Sequence, residues 1–414
     1  MSAPKIGCIA DDYTGGTDVA AALRRQGLRT VLLFGPPADG LRLDECEAVV
    51  VALKTRALEP EAAVKMSMAA RHWLIETVGV PTVYFKYCST FDSTPAGNIG
   101  PVADALIDAA GGGTAVVCPA TPEHGRTLYQ GHLFVADKLL SESPMRHHPL
   151  TPMTDSDVVR LMSAQTPHSV GSVAWQQVQQ GPVAVASILA ASPRYVVIDA
   201  VDDSDLDIIA RAVEGAAVVT GGAGLAGALG RVLVEHDRGH MDPRAVTAPD
   251  APTVVFAGSC SRATLGQVDY ARAEFASYRL DPRDVDSPGQ LLEPARTWLL
   301  DSLGDLPVMI YSSAPAEERG PADPVVAEQL EATIGALAKA AVAAGARRVV
   351  VAGGETSGAV VDALGIRSVV VDAEADRGVP WCSTPDHSVS LLLKSGNFGR
   401  PDLLVRAATS EVLA

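Results

Sequence analysis

The stretch KIGCIADDYTGGTDVAAALRRQ, residues 5–26, decides the fold. Its apolar beginning predicts a strand over Lys5 to Ala10, and its alanine-rich end predicts a helix over Thr17 to Gln26. Either Thr17 or Asp18 would serve as the N-cap of that helix. Between strand and helix lies a loop of small and acidic residues. A strand, a short loop and a helix in this order form the unit from which parallel α/β sheets are built.

The same unit recurs on both halves of the chain. Further strands are predicted over residues 30–34, 48–53, 82–86, 115–118, 195–199, 217–220, 253–257, 308–311, 348–352 and 368–371, and long helices over 61–78 and 325–344. Alternation of strands with helices of this length is typical of parallel sheets covered by helices. We therefore predict an α/β fold with two domains, each with a largely parallel sheet flanked by helices.

A connection between the two domains is predicted where the periodicity stops. Residues 236–252, HDRGHMDPRAVTAPDAP, collect proline, aspartate and glycine, as exposed linkers do. The length of 414 residues also exceeds the size at which single cores usually stop growing. We predict an N-terminal domain over residues 1–245 and a C-terminal domain over residues 246–414.

The charge and the cysteines restrict the class of protein. A formal net charge of −16 repels polyanions, which argues against nucleic acid or an anionic membrane as the partner. The six cysteines form no CxxC pair or zinc-type cluster, as expected of reduced thiols in the cytoplasm. No leader-like or membrane-spanning stretch is evident. These features predict a soluble cytoplasmic protein with small-molecule ligands, and a homo-oligomer is compatible with them.

Two adjacent carboxylates follow the first predicted strand, where ligands of α/β proteins bind. One interpretation is structural: one aspartate caps the helix and the other is solvated. The other is functional: Asp11 or Asp12 bonds the hydroxyl groups of a substrate and accepts a proton from the reacting one. The residues alone leave both interpretations open.

Cationic and hydroxyl side chains follow other strands of the first half. Lys86, Ser89 and Thr90 lie in KYCSTFDS after the strand that ends at residue 86, and this mixture suits a polyhydroxy acid. Arg56 and Arg126 follow two other strands, and a guanidinium group can bind a carboxylate through two parallel hydrogen bonds.

A formal GxGxxG match occurs at Gly222, Gly224 and Gly227. Such a run can bind the pyrophosphate of NAD, but it then belongs to the first strand of its unit and an acidic residue follows the next strand. Here the segment that follows is the predicted connection between domains. We interpret these glycines as small residues for helix packing and keep an NAD-dependent oxidoreductase as a remote alternative.

The second half offers a better nucleotide site. Ser259 follows its first strand, and Gly353, Gly354, Glu355, Thr356 and Ser357 lead from a buried strand directly into a helix, whose N-terminal N–H groups favour a phosphate. Gly396 allows close approach to the backbone near the C-terminus, and the adjacent Lys394 could supply charge. No GK[ST] sequence follows the glycines, so this is not a Walker A loop.

Several of these stretches together resemble a known family. They are IADDYTGGTD (9–18), STFDSTPAGNIG (89–100), HPLTPMTDSD (148–157), AGSCSRAT (257–264), AGGETSGAVVDALG (352–365) and LKSGNFG (393–399). In order and spacing they are similar to the four-carbon acid sugar kinase family over nearly the whole chain. The second and third resemble its 3-oxo-tetronate kinase branch.

The resemblance implies an N-terminal acid-sugar domain, a C-terminal ATP domain and phosphorylation of the 4-hydroxyl of a four-carbon sugar acid in carbohydrate-acid catabolism. It implies 3-oxo-tetronate as the acid, with D-threonate or D-erythronate as the alternative. Ser259, the 353–357 loop and Gly396 match its ATP-contacting positions. Phosphoryl transfer then predicts Asp12 as general base, with Asp11 second, and Mg²⁺ on the phosphates, for which Glu355 is a possible partner. A catalytically inactive sensor of sugar acids is a further alternative.

Overall fold

The computed structural model describes residues 3–38, 40–41, 43, 45–148, 151–235, 246–247, 251–285, 287–319, 323–410 and 412–413. It divides into two compact units, Met1–Asp242 and Pro243–Ala414, called unit 1 and unit 2 below. The boundary predicted near residue 245 lies in a stretch outside the described residues. The predicted domain ranges therefore stay a prediction.

Unit 1 alternates strands and helices. Its strands are β1 Ile6–Ala10, β2 Thr30–Phe34, β3 Ala48–Ala52, β4 Val83–Lys86, β5 Ala115–Cys118, β6 Arg126–Tyr129, β7 His132–Val135, β8 Lys138–Leu139, β9 Val170–Val173, β10 Tyr195–Ile198 and β11 Val218–Gly221. Its helices are α1 Tyr13–Arg25, α2 Pro60–His72, α3 Ile99–Ala109, α4 Val158–Ser163, α5 Trp175–Val178, α6 Pro182–Ala190, α7 Asp203–Ala212 and α8 Ala223–Glu235.

The sheet of unit 1 has the strand order β2-β3-β1-β4-β11-β5-β10-β9, and its described pairings are parallel. Strands β1 to β5 are buried along their whole length, because helices cover a parallel sheet on both faces. The antiparallel strands β6, β7 and β8 form a separate small sheet that the sequence did not predict. They are short and mixed in polarity.

Unit 2 has strands β12 Val246–Thr247, β13 Thr253–Ala257, β14 Ser277–Arg279, β15 Val308–Tyr311, β16 Arg348–Ala352, β17 Ser368–Asp376, β18 Val379–Ser383, β19 Ser390–Lys394 and β20 Val412–Leu413. Its helices are α9 Arg262–Arg272, α10 Leu292–Ser302, α11 Pro324–Ala343, α12 Gly354–Leu364 and α13 Leu403–Thr409. The predicted strands at 253–257, 308–311 and 348–352 match β13, β15 and β16.

The sheet of unit 2 runs β14-β15-β13-β16-β19-β18-β17. Its first half is parallel, and β18 pairs antiparallel with both β17 and β19. A core that includes Val255, Met309, Val350, Trp381 and Leu392 packs on one face. The predicted α/β class, with a largely parallel sheet flanked by helices in each unit, is confirmed, and the β17–β18–β19 meander is an addition to it. Among the described helices, none combines the length and hydropathy needed to cross a bilayer.

Candidate active site

Three loops of unit 1 meet at the carboxyl edge of its sheet, because β1 lies between β3 and β4. Asp11 directly follows β1, Arg56 follows β3, and Lys86 is the last residue of β4. The carbonyl of Asp11 accepts hydrogen bonds from the backbone N–H groups of Thr55 and Arg56 at 2.9 and 3.1 Å. The backbone therefore holds the first two loops together at the edge where parallel α/β sheets bind ligands.

Asp12 is the N-cap of α1. Its carboxylate accepts a hydrogen bond from the backbone N–H of Gly15 at 2.8 Å and another from the Thr14 hydroxyl at 2.9 Å. The prediction that Thr17 or Asp18 caps the helix is wrong, because both lie inside it. The helix begins directly after Asp12, within the stretch read from sequence as loop.

The guanidinium group of Arg56 joins both aspartates. Its Nε and Nη2 donate to the two carboxylate oxygens of Asp11 at 2.8 Å each, and Nη2 also donates to Asp12 at 2.7 Å. The side chain of Asp11 is 3% exposed and that of Asp12 is 24% exposed. The interpretation of one capping and one solvated aspartate is therefore wrong for Asp11, which is buried in a bidentate ion pair.

The two carboxyl groups differ in pKa. Burial raises the pKa of Asp11, and the attraction of Arg56 offsets this only in part. Burial also opposes ionisation of Asp12, but the charges of Arg56 and Lys86 and the hydrogen bonds it accepts leave its pKa below the usual value of an aspartate. Asp12 is thus an ionised carboxylate that remains partly accessible, as a proton acceptor for a substrate hydroxyl must be.

Lys86 is the fourth charged residue of this cluster. Its side chain is buried, and Nζ donates to the carbonyl of Tyr87 at 2.8 Å. A methyl group built on Gly15 would come within 3.3 Å of Nζ, so glycine at this position lets α1 approach the ammonium group closely. Together with the two aspartates and the guanidinium group, the lysine forms a cluster whose formal charges cancel.

The turn after β4 carries Ser89 and Thr90. The Thr90 hydroxyl donates to the carboxylate of Asp92 at 2.6 Å, and the thiol of Cys88 donates to the same carboxylate at 2.9 Å. Burial and the charge of Asp92 raise the pKa of Cys88 to about 12, so it remains a thiol. Thr90 is buried and its hydroxyl shapes the turn, whereas Ser89 is partly exposed. Sequence reasoning did not assign this role to Asp92.

Arg126 opens β6 on a loop that is tied to α1. His124 Nε2 lies 3.7 Å from the carboxylate of Asp18 on α1, and Glu123 accepts a hydrogen bond from Arg25 at 2.7 Å. The guanidinium group of Arg126 donates to the carbonyl of His124, and its buried Nε has no hydrogen-bond partner among the described residues. The loop therefore holds in place a guanidinium group with unused donor capacity. The contacts with α1 were not predicted from sequence.

The glycines at 222 and 224 are packed against protein. A Cβ built on Gly222 would lie 2.6 Å from the carbonyl oxygen of Pro119, and one built on Gly224 would lie 2.9 Å from that of Ala120. Gly227 faces Ala22 of α1. The loop after β5 and helix α1 thus occupy the space beside this run, which agrees with helix packing and does not favour the dinucleotide alternative.

In unit 2 the loops after β13, β16 and β19 converge, because these strands are neighbours in its sheet. A methyl group built on Gly353 would come within 2.8 Å of Thr356 Oγ1 and 3.0 Å of the backbone nitrogen of Ser259. One built on Gly396 would overlap the Ser259 hydroxyl, and one on Gly258 would overlap Thr356 Oγ1. The three loops can approach one another this closely because glycines lie at the contacts.

Helix α12 begins at this point without a side-chain cap. Its N-cap is Gly353, and the first turn contains Gly354, Glu355 and Thr356, of which the first two are exposed. Uncapped N–H groups at a helix start are a suitable site for a phosphate. Ser357 differs from its prediction: its hydroxyl is buried and donates to the Gly353 carbonyl at 2.6 Å. That hydroxyl supports the turn rather than facing a ligand.

Lys394, which the sequence suggests as a source of charge near the nucleotide site, does not reach the surface. Its side chain is fully buried, and Nζ donates to Thr264 Oγ1 and to the carbonyls of Gly396 and Phe398 at 2.9, 3.0 and 3.2 Å. A lysine at the end of a strand is expected to be exposed, but here Thr264 of helix α9 packs against it.

A cavity of about 870 Å³ opens beside the three loops of unit 2. Its lining includes Gly258, Ser259 and the first turn of α12, and also apolar side chains of α11, among them Val326, Leu330 and Ile334. A cavity of this size that combines backbone and hydroxyl donors with apolar side chains suits a nucleotide. The contribution of α11 was not predicted, because its apolar residues read as ordinary core positions.

The chain matches two family models. Residues 6–229 match the model described as the sugar-binding N-terminal domain, and residues 254–404 match the one described as the nucleotide-binding C-terminal domain. The first covers the loops of unit 1 described above, and the second covers those of unit 2.

Curated relatives align over nearly their whole length. A 3-oxo-tetronate kinase of Burkholderia multivorans is 43% identical over 422 residues, covering 98% of this chain and 97% of the relative. Relatives of the same name from Cupriavidus necator and Salmonella typhimurium are 44% and 40% identical, covering 98% and 97% of this chain and 96% and 98% of the relatives.

Two solved structures share the fold. A Salmonella typhimurium LT2 protein, provisionally described as a tRNA synthase, superposes with a TM-score of 0.88 at 39% identity and covers 98% of this chain and 99% of its own. A Haemophilus influenzae protein gives a TM-score of 0.78 at 38% identity, with 97% and 98% coverage.

Proposed function

The chain belongs to the four-carbon acid sugar kinase family, and from this membership we propose that it transfers the γ-phosphoryl group of ATP to the 4-hydroxyl of 3-oxo-tetronate. The products are the 4-phosphate and ADP, in a step of sugar-acid breakdown. Relatives named 3-oxo-tetronate kinase at 40–44% identity support this acid over D-threonate and D-erythronate. The family also predicts activity rather than an inactive sensor.

The uncapped start of α12 beside the cavity of unit 2 is the main structural support for ATP binding. Backbone N–H groups of its first turn would bind the phosphates of ATP, assisted by the Ser259 hydroxyl and by close approach at Gly353 and Gly396. The apolar side chains of α11 that line the cavity, Val326 and Leu330, would contact the adenine base.

Mg²⁺ is proposed to accompany ATP, where it would neutralise part of the charge of the phosphates. Among the described residues no group of three or more His, Cys, Asp or Glu could hold a metal ion by itself. Glu355, exposed in the first turn of α12, is the side chain we assign to Mg²⁺, directly or through water.

The sugar acid is proposed to bind at the cluster of unit 1. The formal charges of the aspartates, Arg56 and Lys86 cancel, so the carboxylate of the substrate needs another cation. Arg126 supplies it, because its buried Nε has no hydrogen-bond partner among the described residues. Arg56, Lys86 and Ser89 would then orient the hydroxyl and keto groups.

The reaction forms one P–O bond and breaks another. The 4-hydroxyl oxygen attacks the γ-phosphorus, the bond from that phosphorus to the bridging oxygen of ADP breaks, and the hydroxyl proton passes to Asp12. Phosphoryl transfer asks little covalent chemistry of the protein, so orientation of the hydroxyl and neutralisation of charge supply most of the rate.

An ADP-release assay on purified protein tests the proposal. The acids 3-oxo-erythronate and 3-oxo-threonate, D-threonate and D-erythronate are compared with ATP and Mg²⁺, and the product is identified by mass spectrometry. We expect the highest kcat/KM with a 3-oxo-tetronate, a mass gain of one phosphoryl group, and no activity in excess chelator. Preference for D-threonate or D-erythronate would contradict the assigned acid, and no ADP with any acid would contradict the kinase.

Replacing Gly353 by Ala is expected to weaken ATP binding by about ten- to one-hundred-fold, from a cost of about 1–3 kcal/mol for a strained backbone. Gly353 has φ 133° and ψ 142°, a region that side chains with a Cβ rarely adopt. The added methyl would also press on Ser259 and Thr356. Calorimetry with MgATP measures the affinity, and Gly345→Ala is a control for strain alone, since Gly345 has φ 110° and open space around it. Equal loss in both variants would contradict a local role.

A further inference from the structure

Lys394 has an unusual environment for a charged residue. Its side chain is 0% exposed, and Nζ makes three hydrogen bonds, to Thr264 Oγ1 and to the carbonyls of Gly396 and Phe398. An ammonium group has three N–H donors, so all of them are used. The acceptors are uncharged, and within the described part of the chain no carboxylate pairs with this ammonium group. Burying a cation without a counter-ion is unfavourable.

The acceptors of Lys394 do not depend on it. The Gly396 carbonyl also accepts hydrogen bonds from the hydroxyls of Ser261 and Thr264, the latter at 2.8 Å. The Phe398 carbonyl also accepts one from Gln267 Nε2 at 3.0 Å. Neutral side chains of the loop after β13 and of α9 would therefore satisfy both carbonyls if the lysine were absent. What the lysine adds is a positive charge.

The charge of Lys394 is separated from the cavity by Gly396 and Ser259. Gly396 packs against the Ser259 hydroxyl so closely that a methyl group there would overlap it, and Ser259 lines the cavity. Lys394 is also paired in register with Ala352, the residue before Gly353. In the trans peptide that joins residues 396 and 397, the carbonyl points toward Nζ, so the N–H points away from it. Together with the hydroxyls of Ser261 and Thr264, the lysine thus holds the direction of that peptide dipole.

We propose that Lys394 is a positioning residue for the phosphates of ATP. It acts through the Gly396 peptide, to whose carbonyl it donates, and its charge favours an anion on the far side of the loop. The inference rests on the proposed nucleotide site of unit 2. It adds to that site a residue that never touches the ligand.

This arrangement couples protonation of Lys394 to the binding of ATP. Burial lowers the pKa of Lys394 to about 7, so most of the lysine is neutral at pH 8. The groups that face Nζ are uncharged: the Thr264 hydroxyl from α9 and two carbonyls of its own loop, with Gln267 behind them and Ala352 on the neighbouring strand. A bound polyphosphate favours the charged form and raises the pKa again. ATP binding at pH 8 should therefore take up a proton.

Calorimetry on the full chain tests the inference, with MgATP titrated at pH 8 in buffers of different ionisation enthalpy. ATP is fully ionised at this pH, so uptake reports on the protein. We expect uptake approaching about one proton per ATP in the wild type, because the lysine is largely neutral before binding. Absence of uptake at pH 8 would overturn the inference, and this measurement needs no variant.

Lys394→Met is the matched variant, with Lys339→Met on the exposed face of α11 as its control. Loss of the charge should raise the Kd of MgATP by about ten- to one-hundred-fold and abolish proton uptake, with the KM for the sugar acid unchanged. The melting temperature should not fall, because an apolar side chain replaces a buried charge. A variant that melts lower but binds MgATP like the wild type would show a structural role only and overturn the inference. No binding by the wild type would instead overturn the proposed function, and the inference with it.

Discussion

Asp12→Asn is expected to lower kcat by about 10²–10⁴-fold, the usual contribution of a general base, while the Kd of MgATP stays unchanged. Asparagine is as good an N-cap as aspartate, so its side-chain oxygen still accepts the hydrogen bond from Gly15 and α1 keeps its start. What is lost is the carboxylate that accepts the proton of the 4-hydroxyl. Steady-state kinetics with saturating sugar acid gives kcat, and calorimetry gives the affinity for ATP.

Asp202→Asn is the control for this substitution. Asp202 is also an N-cap aspartate, with hydrogen bonds from the N–H groups of Ser204 and Asp205 at 2.8 and 3.1 Å, and it begins α7. The chemical change is therefore the same at a helix that carries no site residue. We expect wild-type kcat for this control. An equal fall in both variants would point to helix stability, and full activity of Asp12→Asn would remove Asp12 as the base.

The sequence predicts the strands of both units well, because a parallel sheet covered by helices needs short runs of apolar residues. β2, β5, β13, β15 and β16 begin and end where those runs do. The start of α1 was not predictable in the same way, since Thr14, Gly15 and Gly16 are poor helix formers. Glycine allows α1 to pack closely on the sheet, because a methyl group on Gly16 would come within 2.5 Å of the Ala52 side chain.

The composition of the site was easier to predict than its connections. Asp11 and Arg56 both lie in loops that follow strands, so the sequence identifies them as candidates. Their ion pair joins residues 45 positions apart, and no local pattern specifies it. For the same reason the burial of Lys394 was not predicted, because Thr264, which accepts one of its hydrogen bonds, lies 130 positions away. The hydrogen bond of the Ser357 hydroxyl within its own turn was not predicted either.

Arg126→Met is expected to raise the KM for the sugar acid by about ten- to one-hundred-fold and to leave the KM for ATP unchanged. A charge-assisted hydrogen bond to a carboxylate contributes about 1.5–3 kcal/mol, which corresponds to this range. Methionine keeps the aliphatic part of the side chain, and the contacts of His124 and Glu123 with α1 should hold the loop in place. Steady-state kinetics with each substrate varied in turn measures both constants.

A neutral analogue of the substrate distinguishes recognition of the carboxylate from a general effect on the loop. If Arg126 binds that carboxylate, the primary amide of the acid should be a poor substrate for the wild type, and Arg126→Met should weaken its use little further. The two changes remove the same interaction, so their effects should not add. Arg211→Met, which removes a surface ion pair with Glu235, should behave like the wild type with both compounds. Additive losses with the amide would show that Arg126 acts on another part of the substrate or on the fold.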